Sequence, residues 1–122
     1  MLARSMHPLA GQRMHELSIT QGIVESVSEA IPVGKVLAVT VEIGKLSGVV
    51  ADSVRFCFDL CAQGTPLEGA RLEIVDVAGR GRCGCCEHEM EIAELTAPCP
   101  CGNPFLEILR GQELRIRSVE VT

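Results

Sequence analysis

At 122 residues the chain has room for one compact domain, or for one small core carrying a stapled subdomain, and a second full hydrophobic core is excluded. A net charge of −5 and an aromatic set of three Phe without Trp or Tyr exclude a basic phosphate-binding face and a row of base-stacking platforms, so nucleic acid is not an expected partner. No stretch approaches the roughly eighteen apolar residues of a membrane span, and the opening MLARSMHPLAGQR lacks the apolar run of a secretion signal, so a cytoplasmic protein without a membrane partner is expected.

Ser18 followed by Gln21 matches a capping box, which predicts a helix starting there. Ile19, Ile23, Val24, Val27, Ala30 and Ile31 recur at helical spacing, and Pro32 with Gly34 ends the pattern. From Val36 to Ile43 the period changes to two, with Leu37, Val39, Val41 and Ile43 on the expected buried face of a strand. Asp52 or Ser53 is the expected cap of a second helix, whose stripe of Val54, Cys57, Phe58 and Cys61 makes both cysteines core residues. Strands are predicted over Arg71 to Val77 and Glu113 to Val121. In the latter the apolar phase shifts between Ile116 and Val119, as a bulge near Ser118 produces.

The expected fold class is α+β, with two helices on a small three-stranded sheet and an inserted zinc-ribbon-like subdomain. Residues 1–13 form an N-terminal extension, residues 14–79 and 108–122 the main domain, and residues 80–107 the zinc-binding insert.

The insert carries CGCC at Cys83 to Cys86 and CPC at Cys99 to Cys101, with Glu87 to Pro98 between them. Seven cysteines, an odd number and tightly clustered, favour thiolate metal ligands over a disulfide framework. Zn(II) takes four thiolates in a tetrahedron, and a sphere closed by four cysteines leaves no position for activating water, so the site is structural rather than catalytic. The expected zinc ligands are Cys83, Cys86, Cys99 and Cys101. The second pair has one intervening residue where two are usual, and Cys85 and His88 are the substitutes if that tight turn fails. The insert has few apolar residues to offset the entropy of ordering its backbone, so its order should depend mainly on metal.

Met14-His15-Glu16-Leu17-Ser18 stands ahead of the predicted first helix. Three further segments follow it in order: Glu42-Ile43-Gly44-Lys45-Leu46-Ser47, Arg55-Phe56-Cys57-Phe58-Asp59, and, after the cysteine clusters, Leu114-Arg115-Ile116-Arg117-Ser118-Val119-Glu120-Val121. This ordered set resembles the HypA/HybF family of hydrogenase nickel-incorporation proteins from Met14 to Val121. The resemblance implies a non-enzymatic metallochaperone that binds Ni(II) at Met14, His15 and Glu16 and delivers it to the large-subunit precursor of [NiFe]-hydrogenase. It also implies cooperation with a HypB-type GTPase and, in some members, service to the urease accessory system, as a monomer or weak homodimer.

Ni(II) favours a square plane of nitrogen donors, and a His in second position offers imidazole, its own amide and the terminal amine in one chelate. The amide of Glu16 completes the plane. Thirteen residues before Met14 turn that amine into a peptide nitrogen, so Met14 is the expected functional start. Met6-His7 is no substitute, because Pro8 has no amide proton to lose. The competing reading is a zinc-ribbon adaptor that docks a protein partner and carries no exchangeable nickel.

Overall fold

The computed structural model describes the backbone of residues 12–122 and the side chains of residues 15–122. The elements in chain order are α1 (Gln12–Ala30), β1 (Val36–Gly44), α2 (Ala51–Ala62), β2 (Arg71–Val77), β3 (Gly79–Arg82), β4 (Glu89–Ile92), β5 (Glu107–Arg110) and β6 (Leu114–Val121). The two helices and a three-stranded sheet in the order β2-β1-β6 give the expected α+β class, and a second sheet has the order β4-β3-β5. The chain forms two compact units, one of residues up to Val41 with Val49–Ile74 and Ile116–Thr122, the other of Glu42–Gly48 and Val75–Arg115.

In the first unit, Ile19, Ile23, Val24 and Val27 line the buried stripe of α1, and Val54, Phe58 and Ala62 that of α2. Full burial of each large apolar side chain stabilises the fold by about 1.5–3 kcal/mol, and this stripe is the main reason the two helices hold. Their helical spacing was readable, but the start of α1 was not. The helix begins at Gln12, so Ser18 is interior and the expected capping box does not form. Glu16, Ile19, Thr20 and Ile23 share one face, all buried, which carries the helical period upstream of Ser18. The Thr20 hydroxyl donates to the Glu16 carbonyl at 2.7 Å, closing the turn that contains Ser18. His15 to Ser18 are therefore part of the helix rather than a lead-in to it.

The second correction concerns β1. Val36, Ala38, Val39, Val41 and Ile43 are buried while Leu37 is 43% exposed, so the predicted one-sided alternation fails at its first residue. β1 is the central strand, and both of its faces carry buried residues, Val36 and Ala38 on one and Val39, Val41 and Ile43 on the other. The final strand runs from Leu114, and half-burial moves from Leu114 and Ile116 to Val119, the phase shift present in the sequence. Cys57 and Cys61 are half-buried at the margin of the core rather than within it.

In the second unit, the short strand β3 reads Gly79-Arg80-Gly81-Arg82, with both glycines buried. Opposite them across the antiparallel ladders stand Ile92 and Met90 of β4, and Ile108 of β5 faces Gly81. A Cβ on Gly81 would press to 3.2 Å from the Ile92 and Leu106 side chains, so glycine is what lets those apolar groups cover the strand. Gly111, with φ of 111°, would place a Cβ 2.6 Å from the Cα of Gly79, and its carbonyl accepts the Leu46 amide at 2.7 Å. Leu46, buried beside Gly79 and Gly111, is the other apolar anchor of this unit.

Candidate metal centre

Two turns bring four cysteines together. In the first, the Cys83 amide donates to the His88 carbonyl and the Glu87 amide to the Cys83 carbonyl, both at 2.9 Å, with Glu87 in the left-handed region at φ of 62°. In the second, the Cys99 amide donates to the Asn103 carbonyl at 2.9 Å and the Gly102 amide to the Cys99 carbonyl at 3.0 Å. Gly102, with φ of 103°, makes the tighter reversal that a single residue between cysteines requires.

The Sγ atoms of Cys83, Cys86, Cys99 and Cys101 all lie within 4.8 Å of one another, with Cys83 to Cys101 and Cys86 to Cys99 each at 3.6 Å. A tetrahedron of thiolates with bonds of ~2.3 Å has edges of ~3.8 Å, so the four sulfurs already stand near the spacing one tetrahedral ion needs. Cys85 and His88 are exposed and outside this group. The cluster has the composition of a closed four-thiolate metal site.

The electrostatics of the cluster favour a cation. Cys83 Sγ receives the backbone amides of Cys86 at 3.4 Å and Cys85 at 3.3 Å, and the side-chain amide of Asn103 at 3.4 Å. These donors favour the thiolate, the Cys86 amide first and Asn103 next, and hold Cys83 well below an ordinary thiol, at about 5. The Cys101 amide pulls Cys99 the same way, but burial and the neighbouring thiols of Cys101, Cys86 and Cys83 outweigh it and push Cys99 up to about 12. One site thus favours its anion while a neighbour resists, and four thiolates coexist only around a positive ion. Asn103 is a residue of the cluster that the sequence reading missed. Its one visible signal is its place two residues after the second cysteine pair.

The other predicted site lies on α1. His15 is half-buried, and Glu16 is buried with its carboxylate turned to the start of α2. Glu16 Oε2 accepts the Val50 amide at 2.9 Å, and Oε1 has no hydrogen-bond partner. Val50 is the N-cap of α2 and has no capping side chain of its own, so Asp52 and Ser53 do not perform the expected role. Met14 contributes its backbone to α1, and its side chain lies outside the described residues, as do residues 1–11. Among the described residues no helix is long and apolar enough to cross a membrane.

A small α+β protein with a four-cysteine cluster suited to a metal, carried beside short strands, is the class these features define. Comparison with known proteins narrows it. The family model for hydrogenase/urease nickel incorporation, metallochaperone, hypA matches residues 14–121. The hydrogenase maturation factor HypA of Rippkaea orientalis is 50% identical over 109 residues, covering 88% of this chain and 96% of the relative. That of Geobacter metallireducens is 49% identical, covering 88% and 99%. A solution structure of a HypA protein superposes with a TM-score of 0.61 at 25% identity, covering 89% of this chain and 97% of that one. The fold is also that of the Ni metallochaperone HypA from Helicobacter pylori, at a TM-score of 0.59 and 23% identity over 87% and 96% of the two chains. The chain belongs to the HypA family of nickel-incorporation metallochaperones, and its role lies in hydrogenase maturation.

Proposed function

We infer that this protein carries Ni(II) on Met14, His15 and Glu16 and hands it to the large-subunit precursor of [NiFe]-hydrogenase, working with a HypB-type GTPase in the cytoplasm. The observation that carries this reading is the family match, which starts on Met14. Helix-start chemistry in a chain beginning at Met14 supports it. The first four amides of any helix lack an intrahelical acceptor, and in a chain that starts at Met14 those of His15 and Glu16 are among them. Surrendering their protons to a metal then breaks no helical hydrogen bond.

In this reading Zn(II) sits in the four-cysteine cluster and stays there. Thiolates at tetrahedral spacing suit zinc, and a sphere filled by protein leaves no edge from which an acceptor extracts the ion. Nickel, held by backbone nitrogens and one imidazole, is open on one side, and protons compete with it directly. Residues 80–107 are then the zinc-held insert, and residues 14–79 with 108–122 the nickel-carrying part. Hydrogenase is the primary acceptor, and the same cargo chemistry suits the urease accessory system.

The test is a Ni(II) titration of zinc-loaded protein, followed by calorimetry and visible absorption, for the chain from Met14, its His15→Ala variant and the full chain. One tight site with square-planar absorption, lost in His15→Ala and weaker in the full chain, is the expected result. Equal binding by His15→Ala sinks the assignment.

A further inference from the structure

Among the described residues Glu16 is the only buried carboxylate, 1% exposed. Its Oε2 accepts the amide of Val50, the residue that opens α2, and Oε1 points into the protein without a partner. Both residues belong to the same compact unit. No side chain of the 50–53 segment caps α2, and a residue of α1, thirty-four positions away, accepts the N-cap residue's own amide, as the acidic member of a capping box does. Glu16 is also the third residue of the proposed nickel motif. Pinning its side chain fixes its Cα, and with it the peptide planes that carry the amide nitrogens of His15 and Glu16. The carboxylate is therefore already engaged as an anchor at the place where nickel needs a rigid backbone.

We propose that Glu16 is a positioning residue for nickel: through the Val50 amide it fixes the turn of α1 that carries the backbone nitrogens of His15 and Glu16. The inference rests on the Met14, His15 and Glu16 reading given above. It adds that the start of α2 is coupled to the metal turn. The coupling is reciprocal, since whatever the Val50 anchor adds to nickel affinity, bound nickel adds to the stability of the anchor. Preorganisation of this kind changes affinity without adding a ligand. The unpartnered Oε1 is not proposed as a ligand.

Two variants separate the anchor from its rivals. Val50→Pro deletes the donor amide and leaves every atom from Met14 to Glu16 in place; the native φ of −89° lies close to the proline range. Glu16→Gln keeps the shape and an accepting oxygen but removes the charge. Zinc-loaded full chain and Met14-initiated chain are titrated with Ni(II), and amide hydrogen exchange at Val50 is followed by NMR with and without the metal. Val50→Pro should weaken nickel about tenfold with an unchanged absorption band. Glu16→Gln should weaken it less, and the double variant should be no worse than Val50→Pro alone. In the parent, nickel should slow Val50 exchange by a similar factor, a readout that needs no variant to fold.

If Val50→Pro binds nickel as the parent does while Glu16→Gln shifts the band, Glu16 is a direct ligand and the proposal is overturned. If both variants lower only the melting temperature and Val50 exchange ignores nickel, Glu16 is simply a cap, which overturns it equally. A parent chain that binds no nickel removes the reading on which the proposal rests, and that failure is visible in the parent titration before any variant is compared.

Discussion

The cysteine cluster and the proposed nickel motif on α1 are two different surroundings for a metal. At the cluster every donor is a side chain, held by two loops whose own apolar support is a handful of groups such as Ile92, Leu106 and Leu46. On α1 the flanking residues are locked by a continuous buried stripe, from Glu16 and Ile19 to Val27. The contrast teaches where order comes from. A loop-built site borrows its rigidity from the ion, whereas a helix-borne motif is rigid before any ion arrives.

The largest effect should follow from taking metal away from the cluster. Apparent binding energies for structural zinc are of order 10–16 kcal/mol, so strong chelation should melt residues 83–101 while α1 and α2 keep their helicity. NMR of chelated protein checks this directly: loss of dispersed signals throughout α1 as well would erase the contrast.

Next in size is the reverse experiment. Ile23→Ala removes a side chain packed in the first unit and should destabilise that unit by about 2–5 kcal/mol. Metal content should stay at one ion per chain. Denaturant unfolding of the loaded variant, with thiol-bound metal followed separately, measures both. Simultaneous loss of helix and metal at the lower midpoint would show that the insert depends on the helical core rather than on its ion.

How far the sequence could be read follows the same division. The helical stripe of α1, the strands β1 and β2 and the grouping of the four cysteines were all legible, because each depends on a local period or a fixed spacing. The start of α1 was not, since Glu16 is a charged residue on a buried face, and its partner Val50 is distant in sequence. Leu37 was misread because burial on both faces of a central strand erases the alternation that marks one. The strands β3, β4 and β5 went unseen for a different reason. Four residues give too short a run for period two to register, and the buried positions of β3 are glycines.

A smaller effect should come from Gly102. An alanine there meets no atom within 4 Å, but φ of 103° is a conformation that side-chain-bearing residues rarely adopt. Gly102→Ala should cost about 1–3 kcal/mol, appearing as weaker metal binding in competition with a chromophoric chelator. Gly84→Ala is the matched control, since it too has open space and no such φ. Equal affinity in the two variants would show that the short Cys99 to Cys101 turn needs no glycine.

The smallest effect sharpens the comparison most. Cys85 and His88 lie beside the ligands in sequence, and spacing alone left both as candidates for the fourth position. In the structure they serve differently, the Cys85 amide donating to Cys83 Sγ and the His88 carbonyl accepting the Cys83 amide. Both contributions come from the backbone, so replacing the side chains leaves them intact. Cys85→Ser and His88→Ala should each retain one metal ion per chain with affinity within about threefold of the parent, because exposed substitutions that break no contact typically change free energy by less than ~0.5 kcal/mol. Cys101→Ser, which removes a sulfur from the cluster itself, should lower affinity by orders of magnitude. If Cys85→Ser proved as damaging as Cys101→Ser, the ion would be held by a different set of thiols from the four that the fold brings together.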